Sequence, residues 1–99
     1  MTELAYSGLG INPHYGTPEN PIYKGSVPGG STSGGAVSVA TGIADITIGT
    51  DTGGSTRIPA AYTGITGFKP TQDSISRNGC LTLSNTLAVS YTHLRAHET

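Results

Sequence analysis

Two glycine-rich loops that each carry serine limit what this 99-residue chain can fold into: Gly29-Gly30-Ser31-Thr32-Ser33-Gly34-Gly35 and Gly49-Thr50-Asp51-Thr52-Gly53-Gly54-Ser55-Thr56-Arg57. Glycine inside a regular element costs about 0.5–1 kcal/mol relative to alanine. Runs this dense therefore belong outside helices and strands, where they can turn backbone N–H groups toward a ligand. Between the loops lie a small-residue segment, 36–44, and the alternation Ile46-Thr47-Ile48. Two serine-bearing loops flanking one helix and one strand read as the centre of an α/β unit.

The residues 36–41, AVSVAT, predict a helix small enough to pack closely on a sheet, and Gly42 is placed to end it as the C′ residue. Residues 46–49 predict a short strand with Ile46 and Ile48 on one face. Residues 59–62 predict one or two helical turns with Pro59 in the first. Residues 65–68 predict a second strand, closed by Lys69-Pro70. Residues 1–7 read as a helix end or a short buried segment. Residues 8–30 read as loop, from the turn signals Asn12-Pro13, Gly16-Thr17-Pro18, Asn20-Pro21 and Pro28-Gly29-Gly30. A connection that long is either functional or disordered. Residues 71–87 are polar and irregular, with turns at Gln72-Asp73 and Asn78-Gly79.

Charge narrows the partners. Charged residues make up 11% of the chain, the net charge is −1, and no basic stripe exists, so nucleic acid and membrane surfaces have no electrostatic basis for binding. No charged segment precedes an apolar run at the start, and no run approaches a membrane span. The single cysteine, Cys80, excludes an intrachain disulfide and fits a reducing, cytoplasmic compartment. Only 34% of residues are hydrophobic, with one Phe, no Trp and fifteen Gly. A small chain with that composition is expected not to fold alone. It reads as a piece from the centre of a larger α/β protein.

Spacing excludes several chemistries. Neither loop carries the Lys-Ser/Thr pair of a P-loop, and residues 49–54, GTDTGG, fail the dinucleotide fingerprint. Neither Ser31 nor Ser55 stands in the Gly-x-Ser-x-Gly of a nucleophile elbow. No His or Cys spacing suggests a metal. What remains is a serine nucleophile without a histidine partner. Ser55 follows Thr52-Gly53-Gly54, a turn that can point successive N–H groups into one concavity, the geometry of an oxyanion hole. A hydroxyl both donates and accepts, so Ser31 can pass a proton between Ser55 and a base. His14, His93 and His97 read as solvated, and Cys80 as a buried or inert thiol.

The segments PGGSTSGG and GTDTGGSTRIPAAYTGITGFKPT, in this register, resemble the amidase signature family. The resemblance covers about residues 1–87, with its core motif at 29–71. It implies an incomplete α/β domain whose mixed central sheet is flanked by helices, and an amidase-type hydrolase that cleaves carboxylic amide C–N bonds through a serine acyl-enzyme. Ser55 matches the nucleophile, and Ser31 the bridging serine, held in the family by a cis peptide. The N–H groups of Thr52, Gly53, Gly54 and Ser55 match the oxyanion hole. Thr50, Asp51 and Arg57 match supporting polar residues, and the small neighbours of Arg57 favour a buried, hydrogen-bonding role for it. Ser33 matches a structural position.

The family's general base is a lysine well upstream of the bridging serine, farther than the residues preceding Ser31 here. Lys24 and Lys69 are the two lysines present, and neither is expected to replace it. The fragment alone is therefore expected to be inactive. The substrate is a small-molecule amide, with no metal or organic cofactor implied. The alternatives are the amidase-like subunit of a glutamyl-tRNA(Gln)/aspartyl-tRNA(Asn) amidotransferase and a non-catalytic truncated product. Residues 88–99 depart from the family, have the character of translated adapter sequence, and are expected to be non-native.

Overall fold

Helix α1, Ser33–Ala40, starts inside the first glycine loop rather than after it. The structure, a computed structural model, describes residues 1–81 and the backbone of 89–95. The first bond of α1 runs from the Ala36 N–H to the Thr32 carbonyl at 3.0 Å. Gly35 sits in the opening turn, where a side chain would be tight against its neighbours. A Cβ there would lie 3.0 Å from the Thr47 Oγ1 and from the Thr32 Cγ2. The helix stops where the sequence predicts, with Gly42 at φ +78° and its N–H bonded to the Val39 carbonyl.

Strand β1 runs Ile46–Asp51, two residues beyond the predicted end. Helix α2, Arg57–Thr63, carries Pro59 in its first turn and is capped by Gly64 in the left-handed region at φ 72°. Strand β2 is Thr66–Phe68, and a 3₁₀ turn occupies Glu3–Ala5. The sheet order is β1-β3-β2, where β3 is Val89–Arg95 and pairs antiparallel with both neighbours. The register sets Ile48 opposite His93, and Phe68 opposite the same residue from the other side. The central strand thus comes from residues 88–99, the segment that the sequence sets apart. His97 and the side chain of His93 lie outside the described residues.

Both helices lie on one side of the sheet, α1 against β1 and α2, and α2 against β2. The core between them is Ala36, Val39, Ala60 and Ile65, with Ala40 and Ala44 partly buried beside it. Ile46 and Ile48 do share a face, as the alternation predicts. It is the face away from the helices, where Ile46, Ile48 and Phe68 are each more than half exposed. The helix side of β1 carries the smaller Thr47 and Gly49, which is what a closely packed small-residue helix requires.

The long loop 8–30 is built around Asn20, which is fully buried. Its Nδ2 donates to the Tyr62 carbonyl at 2.9 Å and the Val27 carbonyl at 3.2 Å. Its Oδ1 accepts from the N–H groups of Ile22 and Tyr23 at 2.9 and 3.2 Å. One amide side chain therefore ties the loop to the end of α2. Truncating it strands buried carbonyls, each worth about 1–3 kcal/mol. In a full-length protein containing these residues, Asn20→Ala should lower the urea midpoint by an amount equivalent to about 2 kcal/mol or more, and Asn20→Asp, which sets a buried carboxylate oxygen against the Val27 and Tyr62 carbonyls, should lose at least as much.

Candidate active site

Asp51 ends β1 with its carboxylate at 0% exposure, and the turn that carries Ser55 is wrapped around it. Oδ1 accepts the Gly54 N–H at 2.8 Å. Oδ2 accepts the N–H groups of Thr56 at 3.2 Å and Arg57 at 3.3 Å. The Arg57 guanidinium closes the cluster with two bonds, Nε to Oδ2 at 3.0 Å and Nη2 to Oδ1 at 2.9 Å. Forked pairing of this kind fixes geometry as well as charge. The Thr56 hydroxyl adds a bond to the Thr50 carbonyl at 3.2 Å. Thr50 thus supports the turn through its backbone.

Burial is the largest single influence on the Asp51 carboxyl and pushes its pKa up. The Arg57 side chain and the N–H groups of Thr56, Arg57 and Gly54 together outweigh burial, and the pKa lies below its ordinary 3.8. Arg57 moves the other way, pushed up by its hydrogen bond to Asp51 and then by charge attraction. Arg57 is not buried as the sequence suggests: its side chain is 52% exposed. It starts α2 and lies over Asp51 from the surface, so the buried partner is the aspartate. Asp51 does more than cap an Asx-turn, because it holds strand, turn and helix at once.

The first loop is held from outside. The Thr2 N–H donates to the Ser31 carbonyl at 2.9 Å, and the Gly30 N–H to the Gly8 carbonyl at 2.8 Å. The Gly30–Ser31 peptide is cis, the isomer that the resemblance implies. The two loops meet through the backbone, where the Thr32 N–H donates to the Ser55 carbonyl at 3.1 Å. Ser31, Thr32 and Ser33 are buried, and their hydroxyls have no hydrogen-bond partner among the described residues. A direct bond between the hydroxyls of Ser31 and Ser55 is therefore not formed. Ser55 is half-buried, Lys24 exposed and Lys69 half-buried, and neither lysine bonds Ser31.

The N–H expectation narrows in the same way. The Gly54 N–H, one of the four expected to hold a substrate oxygen, donates instead to the Asp51 Oδ1. Cys80 is half-buried. Thr32, Thr56 and Asn20 escape sequence reasoning as functional residues, because each acts through backbone groups or through packing that has no spacing signal. A separate apolar groove of about 270 Å³ is lined by Tyr23, Ser26, Ala61 and Tyr62, and not by Ser31 or Ser55. No helix among the described residues is long and apolar enough to cross a membrane.

The Asp51 cluster has a pH signature. Because the folded pKa is depressed, the charged carboxylate contributes its full stabilisation above 3.8 and loses it as pH falls through the folded value. In a full-length protein containing these residues, Asp51→Asn should cost about 1–3 kcal/mol at pH 7. The gap between variant and parent in urea midpoint should stay constant down to about pH 4 and shrink below it.

A family model described as Amidase matches residues 1–90. Over 79 residues the chain is 58% identical to amidase 1 of Arabidopsis thaliana, covering 80% of this chain and 19% of that protein. It is 47% identical over 87 residues to a glutamyl-tRNA(Gln) amidotransferase subunit of Cupriavidus taiwanensis, covering 88% of this chain and 17% of that one. A crystal structure of an amidase superposes with a TM-score of 0.89 at 42% identity, over 96% of this chain and 22% of that chain. The chain spans about a fifth of the length of these relatives.

Proposed function

The chain belongs to the amidase family, and from that premise we propose that it is the nucleophile-bearing segment of a hydrolase that cleaves small-molecule carboxylic amides. The observation that carries this reading is the meeting of the two serine loops. A buried, unpartnered Ser31 hydroxyl stands one residue from the N–H that holds the Ser55 carbonyl. The Ser55 Oγ attacks the amide carbon while its proton passes to the Ser31 Oγ, and Ser31 releases its own proton to a base. The tetrahedral oxygen is held by the N–H groups of Thr52, Gly53 and Ser55, which Asp51 leaves uncommitted. The C–N bond then breaks, the nitrogen takes back the proton, and the amine or ammonia leaves. Water adds to the acyl carbon by the reverse path and frees Ser55.

A serine hydroxyl is a weak nucleophile until a base takes its proton. The resemblance assigns that base to a lysine lying farther upstream than the residues present here. A neutral lysine suits the task because its pKa falls readily on burial. The lone Cys80 supports a cytoplasmic setting. The similarity to an amidotransferase subunit favours a second reading, in which the same serines release ammonia from glutamine for a partner protein. Glutamine hydrolysis that exceeds aryl amide hydrolysis separates the second reading from the first.

Activity tests the roles. The isolated 99-residue chain should show no Ser55-dependent hydrolysis of an aryl amide. In a full-length protein containing these residues, Ser55→Ala should abolish acyl-enzyme formation. Ser31→Ala should slow it by about 10²–10⁴, the usual worth of general-base transfer. Wild-type acylation by Ser31→Ala would remove Ser31 from the proton path.

A further inference from the structure

We propose that Thr32 is the positioning residue that sets the distance between Ser31 and Ser55, and that Gly49 is glycine in order to seat it. The inference rests on the reading of Ser55 and Ser31 as nucleophile and bridge. Thr32 touches every part of the site without being a reacting group. Its peptide neighbour is Ser31, its N–H holds the Ser55 carbonyl at 3.1 Å, and its carbonyl accepts the first N–H bond of α1 at 3.0 Å. Its side chain is 3% exposed and makes no capping bond to the helix it precedes. Instead it presses on β1. A Cβ built on Gly49 would lie 2.5 Å from the Thr32 Oγ1, 2.6 Å from its Cγ2 and 3.0 Å from its Cβ.

The first two separations are shorter than real Cβ atoms tolerate, so Thr32 has to shift. Its χ1 is restricted by branching. On its other flank, a Cβ at Gly35 would come within 3.0 Å of the same Cγ2. Any side chain at Gly49 must therefore push Thr32, and with it both Ser31 through the chain and Ser55 through the hydrogen bond. Gly49 also begins the register irregularity of β1 that runs to Asp51. The contact thus lies between the Asp51 cluster and the first serine, and links the two.

The test is a size exchange in a full-length amidase containing these residues, read by single-turnover acylation, KM and Tm. Gly49→Ala should slow acylation by about 100-fold, the cost of roughly an ångström of misplacement at a reacting centre, with KM within about twofold. The double variant Gly49→Ala/Thr32→Ala removes the Oγ1 and Cγ2 that the new methyl meets, and should acylate at least about tenfold faster than Gly49→Ala alone, since residues in contact do not act additively. Parent-like acylation by Gly49→Ala, or a double variant no faster than Gly49→Ala, overturns the proposal. If Gly49→Ala does not fold, the double variant must yield soluble, acylating protein, and an insoluble double overturns it equally. Ser55→Ala is the control for the underlying reading: acylation that survives it refutes the catalytic assignment, whatever the size exchange shows.

Discussion

Five donors converge on the carboxylate of Asp51: the N–H groups of Gly54, Thr56 and Arg57, and two nitrogens of the Arg57 guanidinium. Burying a charge costs several kcal/mol unless it is paired and hydrogen-bonded. Here both oxygens are fully engaged, so the carboxylate remains charged inside the fold. The consequence is geometric. The last residue of β1, the glycine turn and the first residue of α2 are fixed to one another, and Ser55 has no independent freedom to leave its place. The Gly54 N–H is committed to this cluster.

Thr32 couples the second loop to the first through a backbone bond to the Ser55 carbonyl and through its packing against Gly49. That coupling explains the crowding of small residues between the loops. Gly35 lies against Thr47, and Gly49 against Thr32, so α1 sits closer to β1 than larger residues allow. The larger apolar side chains of β1 and β2, Ile46, Ile48 and Phe68, stand on the opposite face, each more than half exposed. A chain spanning about a fifth of its relatives' length carries the site's serines with little core of its own beneath them.

The parts legible in the sequence are those written in glycine and serine. The two loops, the helix and strand between them, the stop at Gly42 and the turn of α2 at Pro59 all follow from local chemistry. The amidase resemblance is carried by the same residues. What the sequence hides depends on distance in space. The alternation shows that Ile46 and Ile48 share a face but not which face of β1 meets the helices, where close packing places Thr47 and Gly49. Arg57 stands at the surface because a half-exposed guanidinium can still reach a buried carboxylate. Asn20 is indistinguishable from an ordinary Asn-Pro turn until its contact with Tyr62, across the fold, is known. Residues 88–99 have no composition typical of the family, yet the backbone of 89–95 pairs on both edges.

The central claim is that the Asp51-held turn presents Ser55, and no other hydroxyl, as the nucleophile. It is tested most directly by labelling a full-length protein containing these residues with an organophosphonate that reacts at activated serines, then locating the adduct by peptide mass spectrometry. The expected result is a single adduct on Ser55, with Ser31 and Ser33 unmodified. An adduct on Ser31 or Ser33, with Ser55 unlabelled, would contradict it.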